Sequence, residues 1–171
     1  MMKRLRIKWY VALLAVLLMA SCEKVNNKEV PKFIVQIDLG TYALWNTYGV
    51  HGVGDYRIFN RGKQLPSNFP YNVNTYTGYG GVLLIMALDG STGSYEPQAF
   101  DAACPVENKP EVSIGIDASN FEAVCPECKS RFNVLTGMGG PISGIAKTNN
   151  YGLRPCKVRS SGNGGYIITS Q

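Results

Sequence analysis

The strongest constraint on the fold is the segment Val82–Leu88, VLLIMAL. It places seven apolar residues in a row between Gly80-Gly81 and Asp89-Gly90. A run this short, bounded by glycines and lacking polar alternation, reads as a strand buried on both faces. Further stretches have strand character: Phe33–Leu39, Asp55–Asn60, Val112–Ile116, Phe121–Val124, Arg131–Leu135, Leu153–Ser160 and Tyr166–Thr169. Gly, Pro and Asn separate them, and no segment after residue 32 sustains a 3.6-residue period over twelve residues. The expectation is one all-β domain over residues 33–171, a small antiparallel sandwich or barrel.

The front of the chain is different. Lys3, Arg4, Arg6 and Lys8 precede an apolar run of eleven, Tyr10–Ala20. That run is too short to span a bilayer, which takes roughly 20 residues. A basic start and a short apolar core describe a secretion signal over residues 1–21. The segment Leu18-Met19-Ala20-Ser21-Cys22 resembles the lipobox of bacterial lipoproteins, which implies cleavage before Cys22 and acylation of that residue. The chain is then expected outside the cytoplasm, facing the periplasm or the cell surface and held to a membrane by Cys22, with residues 22–32 as lipidated cysteine and polar tether. Disulfides persist in such a compartment.

Charge excludes one class of partner. The formal net charge is +5, but four of the cations lie in the leader, which has no acid, leaving +1 on the remainder. That is too little to attract nucleic acid. The single histidine, His51, lies in a Gly-rich loop and rules out any site needing two imidazoles, and no Ser/His/Asp set is recognisable around it. No phosphate-cradling loop is present either, so a catalytic role is not expected. The aromatics Tyr42, Trp45, Tyr48, Tyr56, Phe59, Phe69, Tyr71, Tyr76 and Tyr79 read as sheet core, with a stacking surface for a flat ligand as the alternative.

Beyond Cys22, four cysteines remain: Cys104, Cys125, Cys128 and Cys156. Cys104 precedes a proline, and Cys125-Pro126-Glu127-Cys128 is a CxxC loop. Such a loop turns two sulfurs toward one ion and directs neighbouring amides at the thiolates. The alternative in an oxidising compartment is a disulfide, with three pairings open to four cysteines. Arg131–Leu135 follows as a strand, which sets aside a thioredoxin-like site, whose CxxC opens a helix.

From Gly81 to about Thr169 the chain resembles a Rieske domain. The stretch Gln98–Cys104 is similar to the strand entering that family's first cluster loop, C-x-H. Cys125–Asn133 (CPECKSRFN) is similar to the second, C-P-x-H-G-S-x-F-D. Thr136-Gly137 and Pro141–Ala146 resemble the loop that covers the cluster, and Leu153–Val158 resembles the returning strand. The resemblance implies a small β fold with two cluster-binding loops, and Cys104, Cys125 and Cys128 at ligand positions. Val106 stands at the first histidine position and binds no metal, while Cys128 stands at the second. Cys156 would complete a four-cysteine set from a back strand, and Asp101, Glu107 and Glu127 are nearby oxygen donors. Ser130 keeps the hydroxyl that donates to the cluster, and Phe132 replaces a tyrosine donor of some members.

Four readings of this site stay open. A [2Fe–2S] cluster with a fourth ligand would make the chain a one-electron relay to a redox partner protein. Without imidazole its potential would sit nearer plant-type values, ~−400 mV, than Rieske values. Zinc would serve structure. A disulfide between the loops would stabilise by ~2–4 kcal/mol. A cluster-free scaffold would bind a partner or glycan through its aromatics. The metal readings require two hairpin tips, distant in sequence, to bring three sulfurs within bonding reach of one centre.

Overall fold

The computed structural model describes residues 24–90, 92–136 and 138–171. The leader and Cys22 lie outside the described residues. Seven strands form one antiparallel sheet: β1 (Val35–Thr41), β2 (Tyr56–Phe59), β3 (Tyr76–Thr77), β4 (Val82–Leu88), β5 (Tyr95–Asp101), β10 (Pro155–Ser160) and β11 (Gly164–Ser170). Their order is β2-β4-β5-β10-β11-β1-β3, a nearly closed barrel. Just beyond β2, the Arg61 N–H reaches Thr77 Oγ1 on β3 at 3.4 Å, which links the two end strands. A second sheet, the cap, contains β6 (Gly115–Asp117), β7 (Glu122–Val124), β8 (Arg131–Asn133) and β9 (Gly140–Ser143) in sequence order. The chain is all-β in this sense, as expected.

Strand β4 explains how the two layers hold together. Leu83, Ile85 and Ala87 pack into a core shared with Phe132, Ala123 and Ile114 of the cap. Val82 and Leu84, on the opposite face, pack into the barrel core with Ile37, Leu39, Phe59 and Ile168. Successive side chains of a strand point to opposite faces, so a strand with an apolar core on each side has to be apolar throughout. That is the pattern of Val82–Leu88.

Two short helices interrupt the strands. Helix α1 (Tyr42–Tyr48) is capped by Thr41, whose Oγ1 accepts the Leu44 N–H at 3.2 Å, and it plugs the barrel with Trp45. Seven residues are too few to leave a sustained period in the sequence. Helix α2 (Ile145–Thr148) follows β9. Among the named aromatics, Trp45, Phe59 and Phe69 are buried, and Tyr48, Tyr71 and Tyr56 pack against the two cores. Phe69 meets Tyr48, Phe59 and Tyr71 edge-on, with ring centroids 4.8 to 5.2 Å apart. These rings are core; Tyr42 and Tyr76 are the strongly exposed members.

The segment expected as a tether lies docked from Lys24 onward. Asn26 pairs with Tyr151 in a parallel bridge, and the Arg154 guanidinium donates to the carbonyls of Val30 at 2.7 Å and Lys28 at 3.1 Å. Asn150 Nδ2 donates to the Lys24 carbonyl at 3.2 Å. Among the described residues, no helix is long and apolar enough to cross a membrane.

Candidate metal centre

Two loops converge at the edge of the cap. The first runs from the end of β5 toward β6 and carries Cys104; the second joins β7 to β8 and carries Cys125 and Cys128. The Cys104 N–H bonds the Val112 carbonyl at 3.2 Å, and the Cys125 N–H bonds the Ser130 carbonyl at 3.0 Å, so each loop is closed at its base. The sulfurs of Cys104, Cys125 and Cys128 all lie within 4.8 Å of one another, with 3.6 Å between Cys104 and Cys128. This is the convergence that the sequence required.

The surroundings suit thiolates. The main-chain N–H groups of Val106 and Glu107 are directed at Cys104, and those of Glu127 and Cys128 at Cys125. The Ser130 hydroxyl lies 3.3 Å from Cys128 Sγ and accepts the Ala146 N–H at 3.1 Å. The Cys128 thiol donates to that hydroxyl, and once Cys128 ionises the hydroxyl proton can turn to the sulfur. Gly144 permits this contact: its φ is +76°, and an added Cβ would lie 2.8 Å from Ser130 Oγ. Burial pushes the Cys104 and Cys125 thiols above their ordinary value. Burial acts the same way on Cys128, but the Ser130 hydroxyl and N–H, with the two neighbouring thiols, outweigh it and hold Cys128 below that value. Cys128 is the thiol poised to ionise first.

The other residues singled out from the sequence fall elsewhere. Cys156 stands apart from the trio on β10, opposite Ala99 of β5 and Ser170 of β11, and packs against the barrel core. Burial, with the negative charge of Asp101 and against Arg154, pushes its thiol up to about 12. It is a strand residue, and the structure does not bring it into the three-sulfur group. Asp101 is no free donor either. Its buried carboxylate accepts the N–H groups of Tyr79 at 2.7 Å, Gly80 at 3.1 Å and Ala103 at 2.9 Å. Val106 packs against the shared core beside Cys104, and Phe132 is fully buried in it. His51 sits in its loop edge-on to Trp45, outside the thiol group. Lys109 approaches both Glu107 at 3.7 Å and Glu127 at 3.6 Å, a link that the sequence did not reveal.

The fold and site define an all-β chain with a three-cysteine centre that could bind a metal ion. Comparison with protein-family models, with curated proteins and with solved structures returned no match.

Proposed function

We propose that this chain is a lipid-anchored, extracytoplasmic electron carrier of Rieske-like type, with Cys104, Cys125 and Cys128 as ligands of a [2Fe–2S] centre. The observation that carries this reading is the meeting of two loops, 21 residues apart at Cys104 and Cys125, in a single group of three sulfurs. The donor set fits, since soft thiolates select iron–sulfur clusters and zinc over hard cations. When bound, the group supplies one-electron transfer at a potential tuned by charge and by hydrogen bonds to sulfur. The chain's own part is to offset thiolate charge through five main-chain N–H groups and the Ser130 hydroxyl. Buried Phe132, Ile114 and Leu153 keep water from the inner side. With Cys22 acylated, the docked segment from Lys24 holds the domain close to the membrane, within reach of a membrane-bound redox partner.

The sulfur spacing favours a second reading, a single tetrahedral ion such as zinc. Thiolates bound to one zinc at ~2.3 Å stand about 3.8 Å apart, close to the 3.6 Å between Cys104 and Cys128. The test is to express the chain with its leader, purify it anaerobically from the membrane fraction, and measure iron, sulfide, zinc, visible absorption and free thiols. Iron and sulfide in equal amounts with thiolate-to-iron bands support the relay. One zinc and no colour support the second reading. Colourless, metal-free protein with two thiols missing overturns both and leaves the disulfide. Recovery of the Cys22→Ser chain in the membrane fraction would overturn the anchor.

A further inference from the structure

The two loops at the centre are built alike. Cys104-Pro105-Val106-Glu107-Asn108 and Cys125-Pro126-Glu127-Cys128-Lys129 both open with Cys-Pro. In each, the N–H groups of the third and fourth residues are directed at the first sulfur. In each, the fifth residue is a non-glycine in the left-handed region, Asn108 at φ 50° and Lys129 at φ 58°. Matched position by position, the repeat puts Val106 opposite Glu127 and Glu107 opposite Cys128. Cys128 is the residue through which the second loop supplies its second sulfur.

Three thiols leave a four-coordinate centre one ligand short. The two carboxylates at the tips are not equivalent. The Glu107 side chain is 20% exposed, against 50% for Glu127. Lys109 stands between them at 3.7 and 3.6 Å, beyond hydrogen-bond length, so neither carboxylate is locked. As the side chains lie, the Glu107 carboxylate is outside the three-sulfur group; joining it takes a turn of the side chain, which the long contacts to Lys109 leave open while Lys109 keeps Glu127.

We propose that Glu107 is the fourth ligand of the centre, one carboxylate oxygen completing a Cys₃Glu set. The proposal deepens the metal reading of the three thiols and depends on it. A carboxylate is a harder donor than sulfur and does not rule out zinc, cobalt or iron.

Cobalt(II) serves as the probe, added to the metal-free full chain under reducing conditions and followed by its visible spectrum, with affinity set by competition against a chelator. The wild-type chain is expected to give tetrahedral cobalt bands with sulfur-to-cobalt charge transfer. Glu107→Ala and Glu107→Gln should weaken binding by at least the ~10–100-fold that even outer-shell partners cost, and should shift the cobalt bands. Glu107→Cys should restore tight binding and strengthen the charge-transfer band as a fourth thiolate enters. Glu127→Ala should change neither property. If both Glu107→Ala and Glu107→Gln keep wild-type affinity and spectrum while Cys125→Ser loses the metal, Glu107 is not a ligand and the thiol centre stands. If wild type binds no cobalt, the single-ion centre falls, and Glu107 as its ligand with it.

Discussion

In the barrel, β1, β4, β5 and β11 run seven residues each; in the cap, no strand exceeds four. The barrel closes on its own apolar interior, where Ile37, Leu39, Phe59, Leu84 and Ile168 are almost wholly removed from water. The cap has no such interior. It borrows Leu83, Ile85 and Phe100 from the barrel wall, and it includes two cysteines, Cys104 and Cys125, among its buried residues. A sheet this small cannot bury enough surface alone. The difference assigns stability to one layer and chemistry to the other. Long strands supply the rigid wall, and the short ones present two loop tips that a bound metal would tie together.

The largest expected effect tests the barrel side. Phe59→Ala removes a fully buried ring packed edge-on to Phe69. It should cost ~3–5 kcal/mol in denaturant unfolding, with or without metal. A cost below about 1 kcal/mol would mean that the barrel is not the stabilising layer. Asp101, at the joint between layers, comes next. Asp101→Ala strands three N–H groups, two of them on Gly80 and Ala103, whose positions are closed to solvent. The expected loss is about 3 kcal/mol, together with weaker metal retention, because Ala103 leads into Cys104. Wild-type metal affinity in this variant would show that the cap is independent of the joint.

The smallest effect is chemical and leaves stability alone. In metal-free protein near neutral pH, iodoacetamide should label Cys128 faster than Cys156, read by peptide mass spectrometry. Ser130 and the neighbouring thiols hold Cys128 down, while burial holds Cys156 up at about 12. The Cys128 rate should rise with pH and level off below the ordinary thiol value of ~8.5, and Ser130→Ala should move that midpoint upward. Equal labelling of the two cysteines would remove the electrostatic contrast between cap and barrel.

Much of this contrast was legible in the residues. The unbroken apolar run at 82–88 stated that both faces of β4 are covered, and the paired Cys-Pro turns stated that two loops present thiols. Cap strands β7 and β8 fall inside expected runs but are shorter, since a run of favourable residues does not reveal how many of them pair; β6 runs one residue past its expected stretch, and β9 (Gly140–Ser143) forms where a covering loop was expected and no strand was. The docking of residues 24–30 left no trace. On the segment's own side the bonds run through main-chain groups, such as the Asn26 N–H to the Asn150 carbonyl at 2.9 Å and the Val30 carbonyl to Arg154, and those groups are the same whatever the segment's side chains. Asp101 was legible as a carboxylate near the site but not as one already engaged, because its three donors are backbone amides, two of them, on Tyr79 and Gly80, brought in by the β4–β5 pairing.

That pairing has one more consequence. Strands usually find their alignment because slipping by one residue would turn polar groups inward. β4 is oily on both sides, so this penalty is missing and several alignments would bury similar area. Asp101 removes the ambiguity: it faces Val82 across the ladder and grips the amides of Tyr79 and Gly80 just before it. A slip of one residue would carry Cys104 ~3.4 Å along the strand direction, enough to part its sulfur from the other two. A single carboxylate thus acts as the alignment pin for a site it does not itself join.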